Sequence, residues 1–237
     1  LVHRALDQGI AYIHTSSSYS ERNHERRLGD VFQNRLRDSF VLGTSPDLPY
    51  DYGGHDRSMD LGLNVDPDLI VNSIEGSLRR LKLEYIDIYW FLSIDRVETA
   101  RHEPYMRAFE KLKKSGKTRF VGIGTHSNEP EIIRTAAESG FWDVVLTSYN
   151  FRQTHREDVR DAIHQAAGDE LRKACQQLGG CTTGEAKITK GYNLPARFII
   201  HTVGPLWRGG NSSEAEKLAQ SYRSCLELAE QYNIKTI

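Results

Sequence analysis

Apolar positions along this chain recur with two different periods. Short β-branched or aromatic runs stand at 11–15, 40–44, 85–92, 120–125 and 144–149, and each predicts a strand. Between them, Ile70, Ile74, Leu78 and Leu81 fall on one helical face, and Met106, Phe109 and Leu112 fall on another. Asp66 with Pro67, and Asn128 with Pro130, supply start signals for two helices, while Gly116 and Gly140 supply stops. Strand and helix alternating in this way predict a parallel βα array, open or closed into a barrel.

Residues 46–64 carry neither period and are rich in Pro, Gly and Asp, so they read as a long loop after the second strand, a position able to receive a small ligand or a protein. After 166 the pattern changes to a helix at 169–178 and two strands, 187–189 and 198–203, separated by a turn through Tyr192, Asn193, Leu194 and Pro195. Strands so close in sequence have no room for a crossover helix. The predicted organisation is therefore α/β, with a partial TIM-type (β/α) barrel over 1–166 and a smaller α/β piece over 167–237, whose strands would extend the sheet or stand apart.

Composition adds exclusions more than functions. The 31 Lys and Arg residues are balanced by 32 Asp and Glu, which leaves no net positive field to hold nucleic acid. The longest apolar run, 88–92, is far short of the roughly 20 residues that span a bilayer. A cytoplasmic setting is the expectation, with Cys175, Cys181 and Cys225 as reduced thiols, since their spacing matches no CxxC pattern. Helical spacing already under way at Val2, Ala5 and Leu6, and an apolar run at 234–237, give the expectation that both ends are cut.

In a parallel βα array, reactive groups belong at the carboxyl ends of the strands. This rule singles out His14, Ser45, residues 92–95 and 125–127, and Asn150. His14, Asp95 and His126 have the donor types of an open metal site. Hydrogen-bonded or solvated histidines are the favoured reading, and no metal is expected.

The segments GIAYIHTSSSYS, ERRLGDVF, FVLGTS, SLRRLKLEYIDIYWFLSID, LKKSGKTRFVGIGTHS and GFWDVVLTSYNFRQ resemble, in order and spacing, the aldo/keto reductase family. That resemblance implies hydride transfer from NADPH to a carbonyl, with a Tyr as proton donor, a Lys and an Asp that ease its ionisation, and a His that orients the carbonyl. It places the Asp on His14, the Tyr on Tyr19, the Lys on Ser45 and the His on Leu92. Three of four roles are thus replaced, and Tyr19 alone remains as a catalytic candidate. The family's nicotinamide-binding Ser-Asn pair falls near Gly124 and Thr125, and its Gln falls on Leu146. Thr125 is the one remaining candidate for contact with NADP. Phosphate loops after a seventh and eighth strand have no counterpart, so the resemblance implies the cofactor while the residues leave it poorly provided for.

The run AIHQAAGDELRKACQQLGGCTTGEAKITKGYNLPARFIIHTVGP, with IKTI at the end, resembles the macro domain over about 163–237. This second resemblance implies binding of ADP-ribose, or its hydrolysis from proteins, through an Asn-rich segment and glycine-rich phosphate loops. Here REDVRD stands where a glycine run belongs, Arg160 takes the position of the hydrolase Asp, and Asp161 lies one residue out of step. His201 reads as structural, and the tract 207–211 (WRGGN) reads as a turn. The stretch AIHQAAG (162–168) suits either family and marks the expected join. The combined expectation is an oxidoreductase relative without its chemistry, a chimeric pseudoenzyme, with ADP-ribose binding or hydrolysis as the alternative.

Overall fold

The computed structural model describes residues 2–7, 11–20, 23–49, 61–149, 153–194, 197–206 and 208–234. Contacts divide the chain into two compact units, Leu1–Ser148 and Tyr149–Ile237.

The first unit runs α1 (Val2–Asp7), β1 (Tyr12–His14), α2 (Asn23–Phe32), a 3₁₀ turn (Arg37–Ser39), β2 (Val41–Thr44), α3 (Asp68–Leu81), β3 (Ile86–Phe91), α4 (Val97–Ala100), α5 (Glu103–Lys114), β4 (Thr118–Thr125), α6 (Glu129–Ser139) and β5 (Val144–Thr147). The five strands form one sheet in sequence order, every neighbouring pair parallel, with Tyr12 opposite Val41, Gly43 opposite Ile88, Ile86 opposite Thr118 and Gly122 opposite Val144. This is the partial barrel that the alternation predicts.

Helix α3 shows how sequence produces the outer layer. Asp66 Oδ1 accepts from the Asp68 amide at 3.0 Å and so starts the helix. Lys82, left-handed at φ 57°, ends it, with the Leu83 amide reaching back to the Leu78 carbonyl at 3.1 Å. The predicted stripe of Ile70, Ile74, Leu78 and Leu81 is buried against the sheet, worth roughly 1.5–3 kcal/mol per side chain as an upper estimate. Tyr89, Phe91, Phe109, Tyr105 and Trp142 fill the same layer, Phe91 stacked on Trp142 and the other pairs tilted or edge-on. Asn128 departs from its predicted role. It occupies the residue before α6 in a left-handed conformation at φ 54°, its side-chain oxygen makes no capping bond, and its Nδ2 donates to the Asp95 carbonyl at 3.0 Å.

On the opposite face, Trp90 lies flat across β2 and β4. A Cβ at Gly43 would sit 2.4 Å from the Trp90 Nε1, and one at Gly122 would sit 2.4 Å from its ring carbons. Both positions therefore need glycine for space. At the amino end of β3, buried Asp87 accepts from the Leu42 amide at 2.9 Å and from Arg37 at 2.5 Å, with the Arg37 guanidinium stacked 4.0 Å from the Tyr85 ring. These contacts hold the scaffold at the end away from any chemistry.

The second unit contains α7 (Arg156–Ala167), α8 (Asp169–Gln177), β6 (Ala186–Lys190), β7 (Phe198–Thr202) and α9 (Glu214–Gln231). Strands β6 and β7 pair antiparallel, Ala186 opposite Thr202, as the short connection requires. They form their own two-stranded sheet and do not extend the first. An antiparallel hairpin cannot continue a parallel βα array without a crossover. Of the predicted connecting turn, Pro195 lies outside the described residues, as do residues 235–237 of the terminal strand prediction. Among the described residues no helix is long and apolar enough to cross a membrane.

Candidate active site

The site that topology designates is the carboxyl end of β1 to β4, and hydroxyl groups dominate it. Thr15, Ser16 and Ser17 follow β1 and are buried, and Ser45 follows β2 with 2% exposure. The Thr15 amide bonds to the Gly43 carbonyl at 2.9 Å, which carries the β1–β2 pairing into the loop. Ser45 Oγ then donates to Ser16 Oγ at 2.8 Å, and Ser17 Oγ donates to the Ser45 carbonyl at 3.0 Å. Ser45, where the resemblance implies a lysine role, is a neutral side chain already engaged by neighbouring serines.

His14 ends β1 as predicted. Trp90 Nε1 donates to Tyr12 Oη at 3.1 Å, and Tyr12 Oη lies 3.1 Å from His14 Nδ1. The Tyr12 hydroxyl thus links the Trp90 indole to the imidazole, donating to Nδ1 or accepting from it according to the His14 tautomer. Burial lowers the His14 pKa and raises that of Tyr12, where the Trp90 bond is a smaller opposing influence. Both groups are neutral at pH 7. The position expected to carry a carboxylate therefore carries an uncharged ring.

Tyr19 lies in the turn after the serines, 47% exposed, with its amide bonded to the Ser16 carbonyl at 3.2 Å. Its hydroxyl has no hydrogen-bond partner among the described residues. Its ring meets His24 edge-on at 6.2 Å, and His24 Nδ1 is 2.7 Å from Thr15 Oγ1. His24 is the site neighbour that the sequence reading missed. Its signal is its place in the first turn of the helix that follows the SSSYS run.

Leu92 follows β3, where its side chain closes over Gly124: a Cβ added there would lie 2.6 Å from Leu92 Cδ2. An aliphatic group in that place offers no hydrogen bond to a carbonyl. Thr125 is buried at the end of β4, and its hydroxyl donates to the Ser127 carbonyl while accepting from the Ser127 amide at 3.3 Å. Leu146, at the expected glutamine position, is exposed on β5. These three residues do not fit a nicotinamide amide, which needs free donors and acceptors. Asn150 and the loop residues 50–60 lie outside the described residues.

The structure does not bring His14, Asp95 and His126 together as a metal site. Among the described residues no group of three His, Cys, Asp or Glu side chains is placed to hold an ion. Instead Asp95 accepts from Ser127 at 3.3 Å, and His126 Nδ1 is 3.5 Å from Ser148 Oγ.

In the second unit, Arg160 on α7 pairs with Glu157 and with Asp161, so the acid and base there neutralise each other. His201 Nε2 is 2.8 Å from Thr189 Oγ1 across the hairpin, and burial lowers its pKa, with His164 a lesser cause. The glycine tract before α9 folds as a tight loop, Gly209 at φ 98° and Gly210 at φ 85°. Its amides at Arg208, Gly210 and Ser212 all donate to the Glu214 carboxylate, at 2.8, 3.3 and 2.6 Å. Burial works against the charge of Glu214, and these amides outweigh it, so its pKa is lowered. The anion cradle of this loop is filled by the chain itself. Trp207 lies outside the described residues.

Comparison with known proteins agrees with both halves of this geometry. The aldo/keto reductase family model matches residues 1–179, and the macro domain model matches 147–237. The two ranges overlap over 147–179, which contains 162–168, the stretch read as common to both. A solved aldo-keto reductase from Bacillus halodurans, in its holo form, superposes with a TM-score of 0.55 at 25% identity, covering 69% of this chain and 52% of that one. A macro domain-containing protein of Chlorobaculum tepidum is 55% identical over 95 residues, which are 40% of this chain and 55% of the relative. The ADP-ribose glycohydrolase MACROD2 of Homo sapiens is 45% identical over 96 residues, 40% of this chain and 23% of that protein. The chain thus spans about half the length of the first two. It belongs to the aldo/keto reductase family, with a macro domain segment forming its carboxyl-terminal part.

Proposed function

We propose that this chain is a non-catalytic member of the aldo/keto reductase family, a pseudoenzyme that keeps the sheet and helices of the reductase but not its proton-transfer assembly. One observation carries the reading. The four positions expected to supply the proton donor, the two groups that ease its ionisation and the group that orients the carbonyl hold Tyr19, whose hydroxyl stands without a hydrogen-bond partner among the described residues, a neutral His14, a hydroxyl network at Ser45 and an aliphatic Leu92. A free tyrosine near pKa 10 is a poor acid at neutral pH, and each positioned acid–base group is worth about 10²- to 10⁴-fold in rate. Loss of the assembly therefore costs roughly 3 kcal/mol or more of barrier lowering.

NADP follows from the family, and Thr125 is the residue assigned to contact it. The inward bonding of Thr125 and the apolar Leu92 and Leu146 support weak cofactor binding at best. A small ligand at the strand ends of the first unit would meet neutral hydroxyl groups at Ser16, Ser45 and Tyr19, the two serines being almost fully buried.

A second reading rests on the macro segment and its likeness to an ADP-ribose glycohydrolase. Against hydrolysis stand the Arg160–Asp161 pair at the expected acid position and the occupation of the glycine loop by Glu214. Calorimetric titration of the full chain with NADPH, and separately with ADP-ribose, tests both readings. Micromolar NADPH binding contradicts the view of the nicotinamide positions, and micromolar ADP-ribose binding restores the second reading.

A further inference from the structure

We propose that the cleft between α2 and α3, on the helical layer of the first unit, binds a diphosphate-class anion. The cleft encloses about 550 Å³ and is lined by Arg26, Asp30, Gly76, Arg79, Arg80 and Lys82. It exists because the two helices meet closely at one point: a Cβ on Gly29 would lie 2.4 Å from the Arg80 carbonyl oxygen. That crossing aligns Arg26 and Asp30, one turn apart on α2, with the last turn of α3.

The floor is fixed from below. Glu25 is fully buried, accepts from Thr44 Oγ1 at 2.8 Å and takes the Arg80 Nε at 2.7 Å. Arg80 Nη2 also reaches Ser77 Oγ at 3.3 Å. Its guanidinium is thereby held along Gly76, where a Cβ would come within 2.8 Å of Nη1. Glycine inside a helix costs about 1 kcal/mol relative to alanine, and here it leaves room for that cation. At the rim, Lys82 Nζ pairs with Asp30 Oδ1 at 2.7 Å.

Two cations are thus committed to carboxylates. The other two, Arg26 and Arg79, are exposed and have no carboxylate partner among the described residues. Four cationic side chains against Glu25 and Asp30 leave a local surplus of two positive charges, on a chain whose formal net charge is -1. Two uncommitted guanidinium forks across an open cleft suit a ligand with two adjacent oxyanion groups, since each fork can bond two oxygens of one group. A single phosphate engages one fork. The cleft lies among the helices and is separate from the strand ends described above.

Titration calorimetry of the full chain with inorganic pyrophosphate at low salt tests the assignment, with orthophosphate and ionic-strength-matched chloride as comparisons. The wild-type chain should bind pyrophosphate saturably and more tightly than orthophosphate. The double variant R26Q/R79Q should bind about tenfold more weakly or worse, with unchanged circular dichroism and melting midpoint. Asp30→Asn, which frees Lys82, should bind several-fold more tightly. Addition of ADP separates the sources: displacement of pyrophosphate assigns a nucleoside diphosphate, and no displacement assigns the free anion. No binding by the wild type, equal binding by R26Q/R79Q, or an effect matched by chloride overturns the proposal.

Discussion

The two units treat their helical apolar stripes in opposite ways. In α3 the stripe of Ile70, Ile74, Leu78 and Leu81 is buried, whereas in α9 Leu218, Tyr222 and Leu226, spaced by the same four residues, are 47%, 68% and 57% exposed. Periodicity of this kind forms a helix in either place, but burial needs a second layer to receive it. The first unit has five strands and a cluster of large aromatic side chains to do so. In the second, among the described residues, the buried apolar ones are Val159, Ala162, Ala167, Leu171 and Ala229, and the sheet has two strands. Small side chains remove little apolar surface from water. Element formation and core formation are thus separate steps, and the second unit completes only the first of them well.

The largest expected effect lies in the first unit. Phe109→Ala should destabilise it by about 3–5 kcal/mol, because Phe109 packs on Tyr89, Phe91 and Trp142 together. Hydrogen exchange of the β3 and β4 amides in the full chain reads this directly. Protection left unchanged would mean the aromatic layer is not the core described. Leu171→Ala should cost the second unit nearer 2 kcal/mol, since the buried apolar residues described in that unit are mostly alanines. A loss equal to that of Phe109→Ala, read from exchange at α8, would erase the contrast between the units.

What the sequence revealed follows the same division. The periods of 70–81 and 85–92 located α3 and β3 to within a residue or two, because local patterning and burial agree there. The short link between 190 and 198 revealed the antiparallel β6–β7 pair. Asn128 misled as a cap because its backbone is left-handed there and its side chain is turned toward the Asp95 carbonyl, distant in sequence. The roles expected at His14, Ser45 and Leu92 rest on family resemblance alone, and the partners of His14 and Ser45 carried no signal in the sequence. Neither the link from Trp90 through Tyr12 to His14 nor the capture of Ser45 by Ser16 has any signature in local spacing.

Mild acid should separate the units further. Burial, the first cause in each case, lowers the pKa of His14 in the first unit and of His164 and His201 in the second. A histidine lowered on folding binds its proton more readily when unfolded, so its contribution is present above the ordinary value near 6.5 and fades as pH falls from there through the folded value. With two such groups against one among the described residues, the second unit should lose more stability between pH 7 and pH 5, though less than Leu171→Ala removes. Melting profiles at the two pH values check this, and a greater loss in the first unit would reverse the expectation. The smallest effect belongs to the exposed stripe of α9. Tyr222→Ser or Leu226→Ser should change stability by no more than about 0.5 kcal/mol, and a larger loss in urea unfolding would show that the stripe is covered after all.

The account stands or falls on whether a reductase scaffold with neutral groups at His14, Ser45 and Leu92 still transfers hydride. The most direct measurement is the rate of NADPH oxidation by the full chain at pH 7 with aldehyde and ketone substrates, alongside Tyr19→Phe. The predicted result is no carbonyl-dependent oxidation above the buffer rate in either protein. Turnover by the wild-type chain that disappears in Tyr19→Phe would contradict the account and return Tyr19 to the role of proton donor.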